Sequence, residues 1–468
     1  MKKLEFTPII LLFFVALFVA LYSATTSPFY ANNIYNSDSS IFKIIGEGWC
    51  HGMLPYRDLW DSKGPFIFFV NALGYALTKS NIGIFLLQVL NLYVVILLAY
   101  NMFCHVWQKN MALIISILFL IGISWNYECG NNVEEYTLIP LTLSCFFFYN
   151  WLMDNQKRFK YRYTLLFGIT FGICLMSRIT NAIYVCFMAM IVAVHLLRLR
   201  NFKDLFVHFC IYLFGVATIM IPFLIYFYTH GILSDMWYAT FTYNLGYFHA
   251  STVNVYSNKV FYILQYLYCG VLLCVSMFYW RIQKKMSVYW SMIAIVTFAY
   301  FLLTFGYGHY GMITVPFLAV VFLLVGQFTS SCRKVSLLLQ ACLVLTSFCV
   351  KIHTIHLFKN KAKEKYLTVI QKIPQGDKDK VVLYNCHSNG YLVFDLTPAS
   401  PFFILQDWAI ACNPTLKEKV LESFWQSTPK WIVIEKGDKK CAIYPILKNK
   451  YVRVAQNATV DLYKCKMK

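Results

Sequence analysis

Four acids and three bases crowd into Asn36–Phe66, "NSDSSIFKIIGEGWCHGMLPYRDLWDSKGPF", of a chain in which only 13% of residues are charged. Asp38 sits in "NSDSS", where Ser and Asn side chains can orient a carboxylate by hydrogen bonds and where it opens an amphipathic helical pattern (Ile41, Ile44, Ile45, Trp49). Two readings fit it: a general base, or a helix cap, since Asp caps N-termini well. Farther on, "LPYRDLWDSKGPF" sets Arg57 and Lys63 beside Asp58 and Asp61. These four either bridge one another within the loop or leave a cationic cradle for a phosphate, to which Arg offers a fork and Lys a point charge. Glu47 reads as a solvated loop acid.

Three further places hold groups that could do chemistry. Arg178 lies between two apolar runs in "CLMSRITNAIY", where a charge is costly unless it faces water or a cavity. It is either a snorkelling turn residue or a phosphate ligand. His309 and Tyr310 stand in "GHYGMITVPFLAV"; an interfacial aromatic belt accounts for the tyrosine as well as a cavity wall does. The segment 229–258 is aromatic and rich in Asn and Ser, a composition that suits sugar rings and a membrane surface equally.

The elements that must position these residues follow from composition. Hydrophobic residues make up 59% of the 468 and mean hydropathy is +0.56, well above soluble domains. Apolar runs of membrane-crossing length recur from Phe6 to Val350, so the expected fold class is a polytopic α-helical membrane protein. The formal charge of +20 comes largely from short basic loops, 154–162, 198–203, 281–285 and 331–334. It reports topology rather than a nucleic-acid partner. With the basic N-terminus leading into a retained first helix and these loops cytoplasmic, spans fall near 82–104, 111–125, 136–153, 163–177, 179–197, 205–228, 259–280, 287–305, 309–328 and 335–352. Every basic loop stays inside only if 65–78, about 14 apolar residues and short of the roughly 20 needed to cross, is a re-entrant or juxtamembrane helix. The count is then about 11 transmembrane helices.

Two domains are expected: a transmembrane domain over 1–352, with its first external loop at 27–81, and an extracytoplasmic α/β domain over 353–468. The latter carries short β-like runs ("KVVLYN", "KWIVIEK", "YVRVA", "TVDLYKC") and no nucleotide fingerprint. Cys50, Cys129, Cys386, Cys412, Cys441 and Cys465 fall in external segments, where an oxidising compartment could pair some of them. The sixteen cysteines show no metal-site spacing.

The first loop resembles that of the GT-C glycosyltransferases, in the branch of the protein mannosyltransferases and the lipid A aminoarabinose transferase. There an Asp is followed by Gly-x-x-Pro-Tyr-x-Asp, here Gly52 to Asp58, and by Lys-Gly-Pro, here Lys63 to Pro65. Weaker matches are "NNVEEYTLIP", "GITFGICLMSRITN" and the His-Tyr…Pro element at 308–320; together they cover about 30–325. The resemblance implies an outward cavity for a polyprenyl-phosphate sugar, with Asp38 as catalytic base. Where many relatives read Asp-Glu this chain has Asp38-Ser39, so the auxiliary acid falls to Glu134 or Glu135. Arg57, Lys63 and Arg178 become the donor phosphate contacts, and Tyr56, Asp58, Asp61, His309 and Tyr310 the cavity lining. The expected activity is an inverting transfer at the outer face of the cytoplasmic membrane, to an acceptor that is a glycan, a lipid or a protein. Membrane lipids surround it; no soluble cofactor and no metal is expected. A transporter or flippase of polyprenyl-linked glycans, or a ligase of them, is the alternative; a transporter would more often show internal repeats and mid-membrane charges.

Overall fold

The computed structural model describes residues 6–30, 37–127, 130–154, 158–246, 259–302, 308–328, 361–404, 406–426, 428–436 and 441–466. The chain forms two compact units. The first comprises Met1–Ala24, Phe85–Tyr226 and Val255–Ile355; the second comprises Thr25–Ile84, Phe227–Asn254 and His356–Lys468. The expected domain boundary at 352/353 and the expected span 335–352 lie outside the described residues.

Helices in chain order are α1 (Phe6–Ser23), α2 (Ser37–Cys50), α3 (Pro65–Thr78), α4 (Asn81–Phe103), α5 (Lys109–Asn126), α6 (Leu138–Met153), α7 (Tyr161–Leu175), α8 (Ile183–Arg198) and α9 (Phe202–Thr229). Apolar helices Lys259–Phe278, Lys284–Leu302 and Val315–Phe328 also belong to the first unit. Its core runs through Leu12, Leu92, Phe119, Phe148, Trp290 and Phe322, all fully or almost fully buried. α7 and α9 cross closely: a Cβ on Gly168 would meet the Tyr212 carbonyl oxygen at 2.2 Å, and one on Gly215 the Leu165 oxygen at 2.6 Å. Small residues at such crossings let backbones pack where lipid supplies no hydrophobic drive between helices.

Six helices among the described residues are long and apolar enough to cross a membrane, including Asn81–Phe103, Phe202–Thr229 and Lys284–Leu302. α9 turns Phe206, Phe209 and Phe214 outward at 68%, 56% and 64% exposure. In water such a row would be an aggregation surface; in a bilayer it meets acyl chains. α3 is the apolar stretch 65–78, a helix of 14 residues and so ~21 Å long. Pro65 occupies its first turn, where a missing N–H costs nothing.

In the second unit α2 packs on α3, and the short helix Asn389–Val393 packs on α2. The α2–α3 crossing again needs glycine, since a Cβ on Gly46 would lie 2.6 Å from Asn71 Cβ. The C-terminal part is a four-stranded sheet in the order β1-β2-β4-β3: β1 (Val381–Tyr384), β2 (Trp431–Glu435), β3 (Tyr451–Gln456) and β4 (Val460–Cys465). β1 and β2 are parallel, with Val381 opposite Trp431. That pairing requires a crossover, supplied by helices Asn389–Val393, Gln406–Cys412 and Leu416–Gln426. β4 runs antiparallel to both β2 and β3. β1 is buried throughout, as a near-continuous apolar strand covered on both faces must be.

Candidate functional site

Asp38 lies in the first turn of α2, half-buried, ahead of Ser39 and Ser40, which are fully buried. The helix buries Ile41, Ile44 and Ile45, so its apolar face fixes which way the first turn is presented. Past α2 the chain turns sharply. Tyr56 takes φ +72°, an uncommon conformation for a bulky residue that only surrounding contacts can hold. Its N–H donates to the Leu59 carbonyl at 2.8 Å and its hydroxyl donates to the Lys63 carbonyl at 2.9 Å, closing the loop on itself.

That closure separates the two loop aspartates. Asp58 takes Arg57 in a fork, Nε to Oδ1 at 2.9 Å and Nη2 to Oδ2 at 3.1 Å, and also accepts the Leu54 N–H at 2.7 Å. Arg57 and Asp58 are solvent-accessible, at 54% and 30% side-chain exposure, so the pair mainly shapes the turn. Asp61 is 7% exposed and its Oδ2 accepts the Lys63 N–H at 3.4 Å. Burial pushes its carboxyl above the ordinary aspartate range; the Lys63 charge opposes this and the Asp38 charge adds to it. Asp38, Asp61 and Lys63 therefore form one electrostatic cluster. In sequence Asp58 and Asp61 read alike, as partners of Arg57 and Lys63 or as cavity lining; the signal that separates them is the Lys-Gly-Pro turn that follows Asp61.

In the first unit, Arg178 Nη1 donates to Glu134 Oε1 at 2.7 Å, and the Arg178 guanidinium carbon lies 3.4 Å from the centre of the Tyr310 ring. His309 packs edge-on to Tyr310, centroids 4.7 Å apart. Arg178 is 17% exposed and Glu134 2%. Glu135 is used differently. Its carboxylate accepts from Tyr127 Oη at 2.6 Å, Gln88 Nε2 at 2.9 Å and the Asn131 N–H at 2.6 Å. Gly130, at φ +72°, sits where a Cβ would lie 2.3 Å from Gln88 Nε2, so the turn and the acid's cage are one device. Of the two adjacent glutamates, Glu134 faces the cation and Glu135 braces the loop. Among the described residues no three His, Cys, Asp or Glu side chains converge as a metal site. Cys50, Cys386 and Cys465 are free thiols; Cys129 lies outside the described residues, as does the Cys412 side chain.

Residues 2–361 match the family described as "Putative competence-induced protein Ccs4 N-terminal domain". The chain belongs to this Ccs4 N-terminal family. No curated protein matches it in sequence. In three dimensions it is similar to the crystal structure of ArnT from Cupriavidus metallidurans in the apo state, with a TM-score of 0.61, 11% identity and 97% of each chain covered. The structure of the same protein bound to undecaprenyl phosphate gives 0.60, 12% and again 97% of each chain. This member of the Ccs4 N-terminal family thus has the ArnT fold, a GT-C fold: a membrane-helical body with a small C-terminal sheet. Composition, apolar runs and the β-like runs after 353 implied that architecture, and the likeness covers 97% of the chain.

Proposed function

We propose that this protein is a GT-C glycosyltransferase that moves a sugar from a polyprenyl-phosphate donor to an acceptor hydroxyl at the outer face of the cytoplasmic membrane. The observation that carries the reading is the cluster of Asp38, buried Asp61 and Lys63 in the loop whose sequence resembles that of the GT-C enzymes. The ArnT fold supports it, and the ArnT structure holding undecaprenyl phosphate supports a lipid-phosphate donor.

Asp38 takes the acceptor hydroxyl's proton as that oxygen bonds to the anomeric carbon. The bond from this carbon to the phosphate oxygen breaks, its electron pair leaves with polyprenyl phosphate, and the anomeric configuration inverts. Lys63 stabilises the departing phosphate, the charge that develops in the transition state. Glu134 and Tyr310 hold the Arg178 guanidinium between an anion and a ring face. Asp58 holds Arg57, and Asp61 sets the Lys63 backbone. No soluble cofactor takes part in this scheme.

Purified protein incubated with a panel of polyprenyl-phosphate sugars and candidate acceptors is expected to release free polyprenyl phosphate. Intact donors across the whole panel, from protein shown to be folded by its melting curve, would sink the reading.

A further inference from the structure

The second unit contains a cavity of about 510 Å³ walled by four separate pieces of chain: the first-loop turn, the start of segment 233–246, Pro401 with Phe402, and helix Leu416–Gln426. Its volume falls within the range of roughly 300–1,000 Å³ usual for small-molecule sites. Aromatic groups make part of the wall. Trp60 packs edge-on against Tyr243 at 5.0 Å and, tilted, against Phe402 at 5.7 Å between centroids, and its backbone N–H donates to the Pro401 carbonyl at 3.0 Å. Tyr238 joins them, with Lys419 Nζ 4.5 Å from its ring centre and its hydroxyl 3.2 Å from Thr415 Oγ1.

The charged lining is balanced: Arg57 and Lys419 against Asp235 and Glu422. Each charge already has company, Arg57 from Asp58 and Asp235, Glu422 from the Gln426 amide at 2.7 Å. A phosphate entering here would meet two carboxylates, and an acyl chain would strip water from four charges. A neutral polyhydroxyl compound fits better. Its hydroxyls donate to Asp235 and Glu422 and accept from Arg57 and Lys419, while its C–H faces lie on the rings. We propose that this cavity binds a neutral saccharide of one or two rings. The Tyr56 side chain lines the cavity while its hydroxyl bonds the Lys63 carbonyl, so a bound sugar sits one side chain from the loop that carries Lys63. That it is the acceptor's seat rests on the glycosyltransferase reading; that it binds saccharide does not.

Saturation-transfer NMR on the full chain in detergent, with no donor present, tests the binding. The probes are methyl glycosides of glucose, galactose and N-acetylglucosamine, with maltose, lactose and cellobiose as two-ring probes. At least one is expected to receive saturation, and Asp235→Asn and Glu422→Gln are each expected to weaken it at least tenfold while melting as the wild type does. No saturation transfer to any probe overturns the proposal, as does binding that both variants leave unchanged. Displacement of the bound saccharide by inorganic phosphate at equal concentration overturns the neutral-ligand assignment. Because no donor is used, a chain that binds saccharide but transfers nothing refutes the activity and leaves this site standing.

Discussion

Arg178 Nη1 stands 2.7 Å from Glu134 Oε1 while its guanidinium carbon rides 3.4 Å from the centre of the Tyr310 ring. The acid is almost wholly buried and the cation largely so, so neither can fall back on water if the other is removed. Breaking such a pair from one side costs about 3–5 kcal/mol, because a buried charge is left uncompensated. Glu134→Ala is therefore expected to lower the melting temperature clearly. Glu134→Gln, which keeps an acceptor oxygen, is expected to lower it less. Equal melting of both variants with the wild type would mean that the pair does not hold this loop.

Tyr310 supplies the other half of that grip. Tyr310→Phe keeps a ring face and Tyr310→Leu removes it. A desolvated cation–ring contact is worth about 0.5–2 kcal/mol, so the Leu variant is expected to lower the melting temperature, with the Phe variant near wild type. If Phe and Leu behave alike, the hydroxyl or simple bulk is what matters.

These pairings show where sequence reading stops. The stretch 65–78 is legible because its length and its Gly-Pro start define a short helix locally, and β1 and β2 because buried strands spell continuous apolar runs. Asp58 and Asp61 look alike in sequence, three residues apart in one turn. They diverge only because Tyr56 closes the loop and buries one of them. Glu134 and Glu135 are adjacent, yet one reaches Arg178, 44 residues on, and the other Gln88, 47 residues back. Spacing along the chain carries no trace of such partners. The cavity was illegible for the same reason: Trp60 meets Phe402 only after the chain has returned from its last helices.

In the C-terminal part, Asp377 accepts from Lys430 Nζ at 2.8 Å and from Trp431 Nε1 at 3.0 Å. Lys430 first and the Trp431 N–H second hold its carboxyl down to about 2. A carboxyl lowered on folding contributes stability that is present above its unfolded value, near 4, and is lost as pH falls through the folded value. Acid titration followed by tryptophan fluorescence is expected to show Asp377→Asn losing this sheet at higher pH than the wild type. Superimposable curves would show that the contact contributes nothing.

Topology is testable with one thiol at a time in a cysteine-free variant. A cysteine at exposed position Asp379 is expected to react with an impermeant reagent in intact cells. One at Arg200, in a basic loop, is expected to react only after the inner face is opened. The opposite pattern would overturn both the external C-terminal segment and the reading of α3 as a helix that does not cross.

The sharpest division lies between Asp38 and Asp61. If Asp38 is the base, Asp38→Asn preserves size and helix-capping ability yet removes the proton acceptor, and loss of a general base typically costs about 10²–10⁴-fold in rate. Asp61→Asn should act on stability instead. Its carboxyl is raised by burial, against Lys63 and with Asp38, so the folded state keeps a proton that the unfolded chain releases near pH 4. The wild type therefore loses stability as pH rises through the folded value, whereas the neutral amide does not. Asp61→Asn is expected to melt above the wild type at pH 7, with the gap closing toward pH 4. The same series in the Asp38→Asn background should show a smaller gap, because the like charge that helps raise Asp61 is gone. A full-rate Asp38→Asn enzyme beside a dead Asp61→Asn would exchange the two roles. Full rates in both would remove this loop from the chemistry altogether.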